Sequence, residues 1–529
     1  LTSLEQFNPM VNPCCIFQRF CRTCLPIRQF HDEDSGCNSG GGDSHENNHS
    51  HAPPANHYHA PAYTRSYEEK PRKKRVAVIG AGPAGMLFIR SFKKATEKDP
   101  SLLANWEVVC YEKQPRWGGL WNYSWETGMD MHGENVHNGM YRHLWINAPK
   151  ECFELTDYSY DQHFGRPIPS YMPRAAMWDY WNGIMTNTNA AGWFRFNHSV
   201  QHVHFCEHTH QFRVDVRDRV NDKFHSSKFD YVIVATGHFS TPNVPKFEGI
   251  ETFPGRIMHS HDFRDSREFT GKNVLVIGNA YSAEDIACNI YKFGGNSVTI
   301  SYNTHPTSGY QSWPADGRIE ERPLLVRMEG RKAVFKDGSE KDDFDAVILA
   351  TGYLHSYPFL ETKLRLRTKN RLWPDGLYKG VVSLANNQLF YMAMQDQVQS
   401  FTFFYAQAYY IRDILLGKIR IPSPGEMQLH FDKWRAREES IRSVDDKIWF
   451  QTDYARELLR EVPECPILEA NIDGVARTYA QWAEERKRGL IYFRDIPHKS
   501  NVTGTMATPH HTKWLEATDD SLEDFLKRH

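Results

Sequence analysis

No stretch of about 18 apolar residues occurs anywhere in the chain, so the sequence offers no segment that could span a bilayer or anchor it there. An excess of one charge is also missing. Lys and Arg total 63 against 65 Asp and Glu, a net of −2, which removes the electrostatic reason to expect nucleic acid or an anionic surface as a partner. Cysteine is sparse over most of the chain. Cys110, Cys152, Cys206, Cys288 and Cys465 are scattered, while Cys14, Cys15, Cys21, Cys24 and Cys37 crowd the beginning. A scattered set in a chain this long reads as reduced thiols, hence a soluble, cytoplasmic protein. What is present is ordinary for a globular protein, with 40% hydrophobic and 24% charged residues, and 529 residues exceed one domain.

Residues 1–72 are expected to be disordered. Asp32 to Pro61 is Gly, Ser, Asn, His and Pro with almost nothing to bury. Cys21-x-x-Cys24 and His45, His49, His51, His57 and His59 raise the alternative of a metal site, but no second fixed pair follows at regular spacing, and no metal is expected. Arg19, Arg22 and Arg28 ahead of the first acidic cluster leave an organelle address open.

The fold begins after Arg75. Val76-Ala77-Val78-Ile79 has strand length, Gly80-Ala81-Gly82-Pro83-Ala84-Gly85 follows at once, and a helical pattern starts at Met86. This is GxGxxG in the strand–turn–helix context it requires. Gly80 permits the tight turn, Gly82 lets backbone approach a pyrophosphate, Gly85 allows close packing, and the helix N-terminus supplies free N–H groups to phosphate. A second strand from Trp106 ends at Glu112, whose carboxylate can accept hydrogen bonds from ribose hydroxyls. Glu112 comes later than the usual spacing of about 20 residues. The polar stretch Glu97 to Asn105 accounts for the extra length.

The pattern recurs in altered form. Val274-Leu275-Val276-Ile277 leads into Gly278-Asn279-Ala280-Tyr281-Ser282-Ala283, then a helix over Glu284 to Tyr291 and a strand from Ser297 that ends near Asn303. Alanine stands where the second and third glycines belong, so a pyrophosphate would sit slightly farther off. A turn kept only for packing reads the same way. An acidic residue after the second strand would select NADH and an arginine NADPH; Asn303 is neither, and the ribose preference stays open.

Between the two turns, Phe253 to Phe263 reads FxGxxxHxxxF, with Gly255, His259 and Phe263 at its fixed positions. This resembles the fingerprint of flavin-containing monooxygenases; a Baeyer–Villiger relative would carry Trp at the last position. Ala235-Thr236-Gly237 and Ala350-Thr351-Gly352 match the family's links between nucleotide domains, and Gly118-Gly119-Leu120-Trp121 its flavin-proximal turn. Tyr141 to Glu151, Gly237 to Pro242, Met394-Gln395-Asp396-Gln397 and Thr503 to Met506 are similar to the bacterial trimethylamine monooxygenase branch.

The resemblance implies an α/β fold of two Rossmann-like domains, the NADPH domain (residues 244–353) inserted in an FAD domain (73–243 and 354–529). It implies FAD at Gly80, Gly82, Gly85, Glu112, Gly119 and Trp121, and NADPH, with NADH possible, at Gly278, Ser282, Asn303, Thr304 and Gln397. The activity it implies is transfer of one oxygen atom of dioxygen, by way of a flavin hydroperoxide, to the nitrogen or sulfur of a small amine or sulfide, in a homodimer. Asn147 is then the amide beside the flavin, and Tyr281 faces the nicotinamide and substrate; a turn and a packed aromatic are their plainer readings. His259 is expected to have a structural or domain-coupling role rather than to move protons. Two departures stand out. Asn303 replaces the branch's arginine, predicting a weaker preference for NADPH. Val398 follows Gln397 where the branch has tryptophan, and with Trp482 kept, this predicts a pocket for substrates larger than trimethylamine. Phe401, Phe403, Phe404 and Tyr405 could line that pocket, although such a run is more often core. Three rival readings are a Baeyer–Villiger oxygenase, which shares the cofactors but is disfavoured by Phe263, a flavin disulfide reductase, disfavoured because the only C-x-x-C precedes the first strand, and a non-catalytic nucleotide-binding redox sensor.

Overall fold

The structure is a computed structural model and describes residues 72–307, 313–396 and 399–527. The expectations placed on the N-terminal segment before Arg72, and on Gln397 and Val398, lie outside the described residues.

Two sheets organise the fold, one parallel apart from antiparallel pairings at one edge and one wholly parallel. The larger has seven strands in the order Leu377–Tyr378, Val382–Ser383, Leu389–Tyr391, Tyr231–Val234, Lys74–Ile79, Trp106–Glu112 and Phe194–Phe196. From Leu389–Tyr391 onward every pairing is parallel. The smaller has five parallel strands, Ile319–Arg322, Ser297–Ser301, Asn273–Ile277, Ala346–Leu349 and Arg256–His259. The central strands explain themselves. Val76, Ala77, Val78 and Ile79 in one sheet and Val274, Leu275, Val276 and Ile277 in the other are all buried, the uninterrupted apolar runs that a sheet covered on both faces demands. Each buried Val, Leu or Ile side chain contributes roughly 1.5–3 kcal/mol.

The chain crosses between the sheets twice, and the two crossings are tied together. Thr241–Pro242 pairs antiparallel with Tyr353–Leu354. The Asn243 N–H donates to the Gly352 carbonyl (2.9 Å), and the Thr351 hydroxyl donates to the Asn243 carbonyl (2.6 Å). The helix Phe401–Leu415 is almost wholly buried and packs on the helix Pro83–Lys98. Phe401, Phe403, Phe404 and Tyr405 belong to this core, so the aromatic run is packing. The later helices Pro424–Glu439, Val444–Glu461 and Glu469–Arg488 complete the C-terminal part. No helix among the described residues is long and apolar enough to cross a membrane.

Candidate active site

Each sheet ends in a glycine turn that feeds a helix. In the first turn Gly80 donates its N–H to the Tyr111 carbonyl (2.8 Å) with φ of +102°, and a Cβ there would lie 2.7 Å from the Ala235 carbonyl oxygen. Only glycine fits. At Gly85 a Cβ would stand 2.1 Å from the Gly80 oxygen, so the turn folds directly back onto its own helix. Gly82 begins the helix Pro83–Lys98 with no side-chain cap and no acid in the first turn. The loop carrying Gly119 and Trp121 is docked on this turn by the Gly118 N–H donating to the Ala81 carbonyl (2.9 Å). Gly82 and Gly119 face each other so closely that a Cβ on Gly119 would lie 2.8 Å from the Gly82 Cα. The result is bare backbone and an unsatisfied helix N-terminus, the surface a pyrophosphate needs. The Glu112 carboxylate is buried beside it and accepts from the Ala81 N–H (2.7 Å) and the Gln114 N–H (2.8 Å). Burial pushes its pKa up, against the lowering effect of these two donors. Each oxygen keeps a lone pair for a ribose hydroxyl.

The second turn repeats the backbone geometry. Gly278 has φ of +112° and donates to the Ser301 carbonyl (2.9 Å). Ala280 is exposed at the start of the helix Tyr281–Lys292, again without a side-chain cap, and Ala283 is fully buried where a third glycine would pack. Tyr281 and Ser282 are exposed at the helix N-terminus, and Asn303 and Thr304 are exposed past the end of the neighbouring strand. The first-turn acid Glu284 is buried and paired with Arg486 from the C-terminal helix. Burial raises the Glu284 pKa and Arg486 opposes that shift. The Arg486 guanidinium lies 5.0 Å over the Tyr281 ring and 4.8 Å over the Trp482 ring, and the two rings are 6.0 Å apart. Tyr281 and Trp482, 201 positions apart in sequence, thus share one cluster, with Trp482 as its buried floor.

Asn147 is exposed while its neighbours Ile146 and Ala148 are buried. The backbone on either side is pinned, Ile146 N–H to the Met172 carbonyl (3.0 Å) and Lys150 N–H to the Ser170 carbonyl (2.7 Å). Its amide makes no side-chain hydrogen bond among the described residues, so it caps no turn. His259 directs Nε2 at the Gly352 carbonyl (3.0 Å) and accepts from the His261 N–H through Nδ1 (3.0 Å). Burial lowers its pKa to about 4, so the ring is neutral and ties the end of its strand to the loop that follows the neighbouring strand. Phe263 is buried edge-on against Tyr141, at 5.1 Å.

The Flavin-binding monooxygenase-like family model matches residues 73–306 and 314–472. The chain belongs to that family. It is 49% identical to the trimethylamine monooxygenase of Methylocella silvestris over 86% of this chain and 98% of the relative. It is 46% identical to that of Pelagibacter ubique over 86% and 100%. The crystal structure of Tmm from Pelagibacter sp. strain HTCC7211 superposes with a TM-score of 0.81 at 45% identity, covering 85% of this chain and all of the other. An S-allyl-L-cysteine S-oxygenase from Allium sativum shares the fold, with a TM-score of 0.68 at 23% identity, 80% of this chain and 95% of the other being covered.

This flavin-binding monooxygenase carries residues around the site that motif reading did not reach. Arg486 and Glu284 are one pair. Asp285, Arg494 and Tyr141 form another buried group, described below. Arg486 and Arg494 lie far from either turn in sequence, and single charged residues on a helix carry no pattern that marks them. Glu284 and Asp285 do stand directly after the second turn, where an acid in the first helical turn of an anion site is itself a signal that a cation must approach.

Proposed function

We propose that this monooxygenase binds FAD at the first glycine turn and NADPH, with NADH also accepted, at the second, and transfers one oxygen atom of dioxygen to the nitrogen or sulfur of a small amine or sulfide. The observation that carries this reading is the pair of uncapped helix N-termini, each fed by a central parallel strand of its own sheet, with an exposed aromatic (Tyr281) in the first turn of the second helix and an exposed amide (Asn147) on a segment tied to that helix through Arg494 and Asp285. On this reading residues 244–353 form the NADPH domain and residues 73–243 and 354–529 the FAD domain.

FAD, when bound, supplies the redox chemistry and the activation of dioxygen. The chain's residues do the rest. Gly80, Gly82, Gly85, Gly119 and Trp121 hold the first dinucleotide, and Glu112 accepts from its ribose. Gly278, Ser282, Asn303 and Thr304 meet the second. Asn147, exposed on its pinned segment, would offer its amide N–H to the oxygen side of the bound flavin. Tyr281, backed by Trp482 and Arg486, would wall the nicotinamide side. The curated relatives named above act on trimethylamine by name; Val398, in place of a larger aromatic, supports a roomier pocket here.

A panel of tertiary amines and sulfides of graded size tests the proposal, read by stimulated NADPH oxidation, oxygen uptake and product mass. Expected is N- or S-oxide formation, with bulkier substrates matching or exceeding trimethylamine in kcat/KM. A purified protein that holds no flavin and takes none up contradicts the activity. Trimethylamine strongly preferred over every larger amine and sulfide contradicts the pocket reading.

A further inference from the structure

Asp285 lies on the helix whose N-terminus presents Tyr281 and Ser282, one turn farther along. It is buried, and its carboxylate is used from three directions. The Tyr141 hydroxyl and the Asn289 amide (3.1 Å) donate to one oxygen, and the Arg494 guanidinium donates to the other. Arg494 is itself 2% exposed and is wedged between the Phe493 ring at 4.6 Å and the Trp514 ring at 4.7 Å. Its Nε reaches back 3.4 Å to the carbonyl of Ile146, the residue before Asn147. Tyr141 opens the same Tyr141–Glu151 segment and packs edge-on against Phe263. A continuous buried path therefore runs from the Tyr281 helix through Asp285 and Arg494 to the backbone of Asn147, joining three parts of the chain more than 130 residues apart.

A buried ion pair is a poor means of stabilising a fold, because desolvation cancels most of the attraction. Apolar side chains of the same volume would hold these elements together as well. What the pair adds is direction, since guanidinium and carboxylate hydrogen bonds fix angles that apolar contacts leave free. The two segments it joins carry the residues assigned to the oxygen side and the nicotinamide side of the reaction. A misplacement of about 1 Å between such groups costs on the order of 100-fold in rate.

We propose that Asp285 and Arg494 are positioning residues that set Asn147 against the nicotinamide-side helix, and so decide how much reducing power reaches substrate rather than being lost as hydrogen peroxide. This rests on the function proposed above. Both are buried behind the exposed Asn147 and Tyr281 and would act through them.

The test is hydrogen peroxide released per NADPH oxidised in the flavin-loaded full chain, for Asp285→Asn, Arg494→Met, Arg494→Lys and Tyr141→Phe. Asp157→Asn serves as the control. Asp157 is a largely buried carboxylate that pairs with Arg90 on the helix Pro83–Lys98 (3.0 Å) and accepts from the Tyr405 hydroxyl (2.8 Å), with no hydrogen bond to Asp285, Arg494 or the Tyr141–Glu151 segment among the described residues. Expected is a peroxide fraction at least fivefold above wild type in Asp285→Asn and Arg494→Met, partial recovery in Arg494→Lys, NADPH KM within twofold, and wild-type coupling in the control at equal loss of Tm. Tyr141→Phe removes one donor without stranding a charge, so a folded variant can be read even where an ion-pair variant collapses; it should show a smaller rise in peroxide. Peroxide yields that follow Tm alike in all five variants, or stay at the wild-type value in the folded ones, overturn the inference. Wild-type enzyme that forms no oxygenated product would instead sink the function proposed above and is scored separately.

Discussion

The two glycine turns share a backbone and differ in almost everything around it. The first is walled in. Ala81, Ala84 and Gly85 are buried, the Gly119 loop is docked on it, and the Glu112 carboxylate is held by two backbone donors. The second is open. Ala280, Tyr281, Ser282, Asn303 and Thr304 are all exposed, and its nearby acid is satisfied by Arg486 from a distant helix. Enclosure suits a ligand that stays and openness one that comes and goes each turnover. On the proposed reading, the enclosed turn suits the resident FAD and the open one the nicotinamide nucleotide exchanged at each turnover.

Four changes break or sharpen that contrast. The largest effect is expected from Gly85→Ala, whose new methyl meets the Gly80 carbonyl at 2.1 Å. The purified protein should keep roughly a tenth or less of its flavin by visible absorbance, whereas Ala280→Gly in the open turn should alter NADPH affinity by less than about threefold. Full flavin content in Gly85→Ala would erase the distinction. Asn147→Leu should leave both dinucleotides bound and lower oxygenation about 100-fold, the size of losing one aimed hydrogen-bond donor, in single-turnover measurements of product. Asn303→Arg should raise the NADPH-to-NADH ratio of kcat/KM about tenfold by adding a phosphate-binding fork; no change would place the 2′-phosphate elsewhere.

The smallest effect compares the far ends of the two helices. Lys98 closes the first and is exposed, while Lys292 closes the second with its Nζ buried, 4.5 Å from the Trp514 ring. Burial, with the Arg494 charge behind it, pulls the Lys292 pKa down from the ordinary 10.5 to about 7. Between those values the unfolded chain holds a proton that the folded chain does not, so this residue's contribution to stability rises with pH across that window and is least favourable below about 7. Lys292→Met should therefore stabilise the protein at pH 7 by on the order of 1–2 kcal/mol, with the Tm advantage shrinking toward pH 10, while Lys98→Met changes little.

The parts of this account that were legible in sequence are those where one residue type answers one local demand. Gly80 must turn with positive φ, the runs at Val76 and Val274 must be buried strands, and Glu112 must end its strand. His259 reads as structural rather than acid–base, and its bond to the Gly352 carbonyl, within one sheet, is a structural tie. The aromatic run from Phe401 was open to two readings, and burial chose core. Hidden from sequence were Arg486 and Arg494, because their partners Glu284 and Asp285 are 202 and 209 positions away and only the packing of the C-terminal segment onto the second sheet unites them. The exposure of Asn147 between buried Ile146 and Ala148 follows local polarity, whereas the tie of this segment to Arg494 through the Ile146 carbonyl is a tertiary fact.

The central claim is that the enclosed and open turns together direct one atom of dioxygen into substrate. Turnover under heavy-oxygen dioxygen, with a tertiary amine or sulfide and NADPH, tests it most directly. The account predicts a product carrying one labelled oxygen for each NADPH oxidised. Product oxygen drawn from water, or NADPH oxidation that yields peroxide and no oxide with every substrate tried, would contradict it.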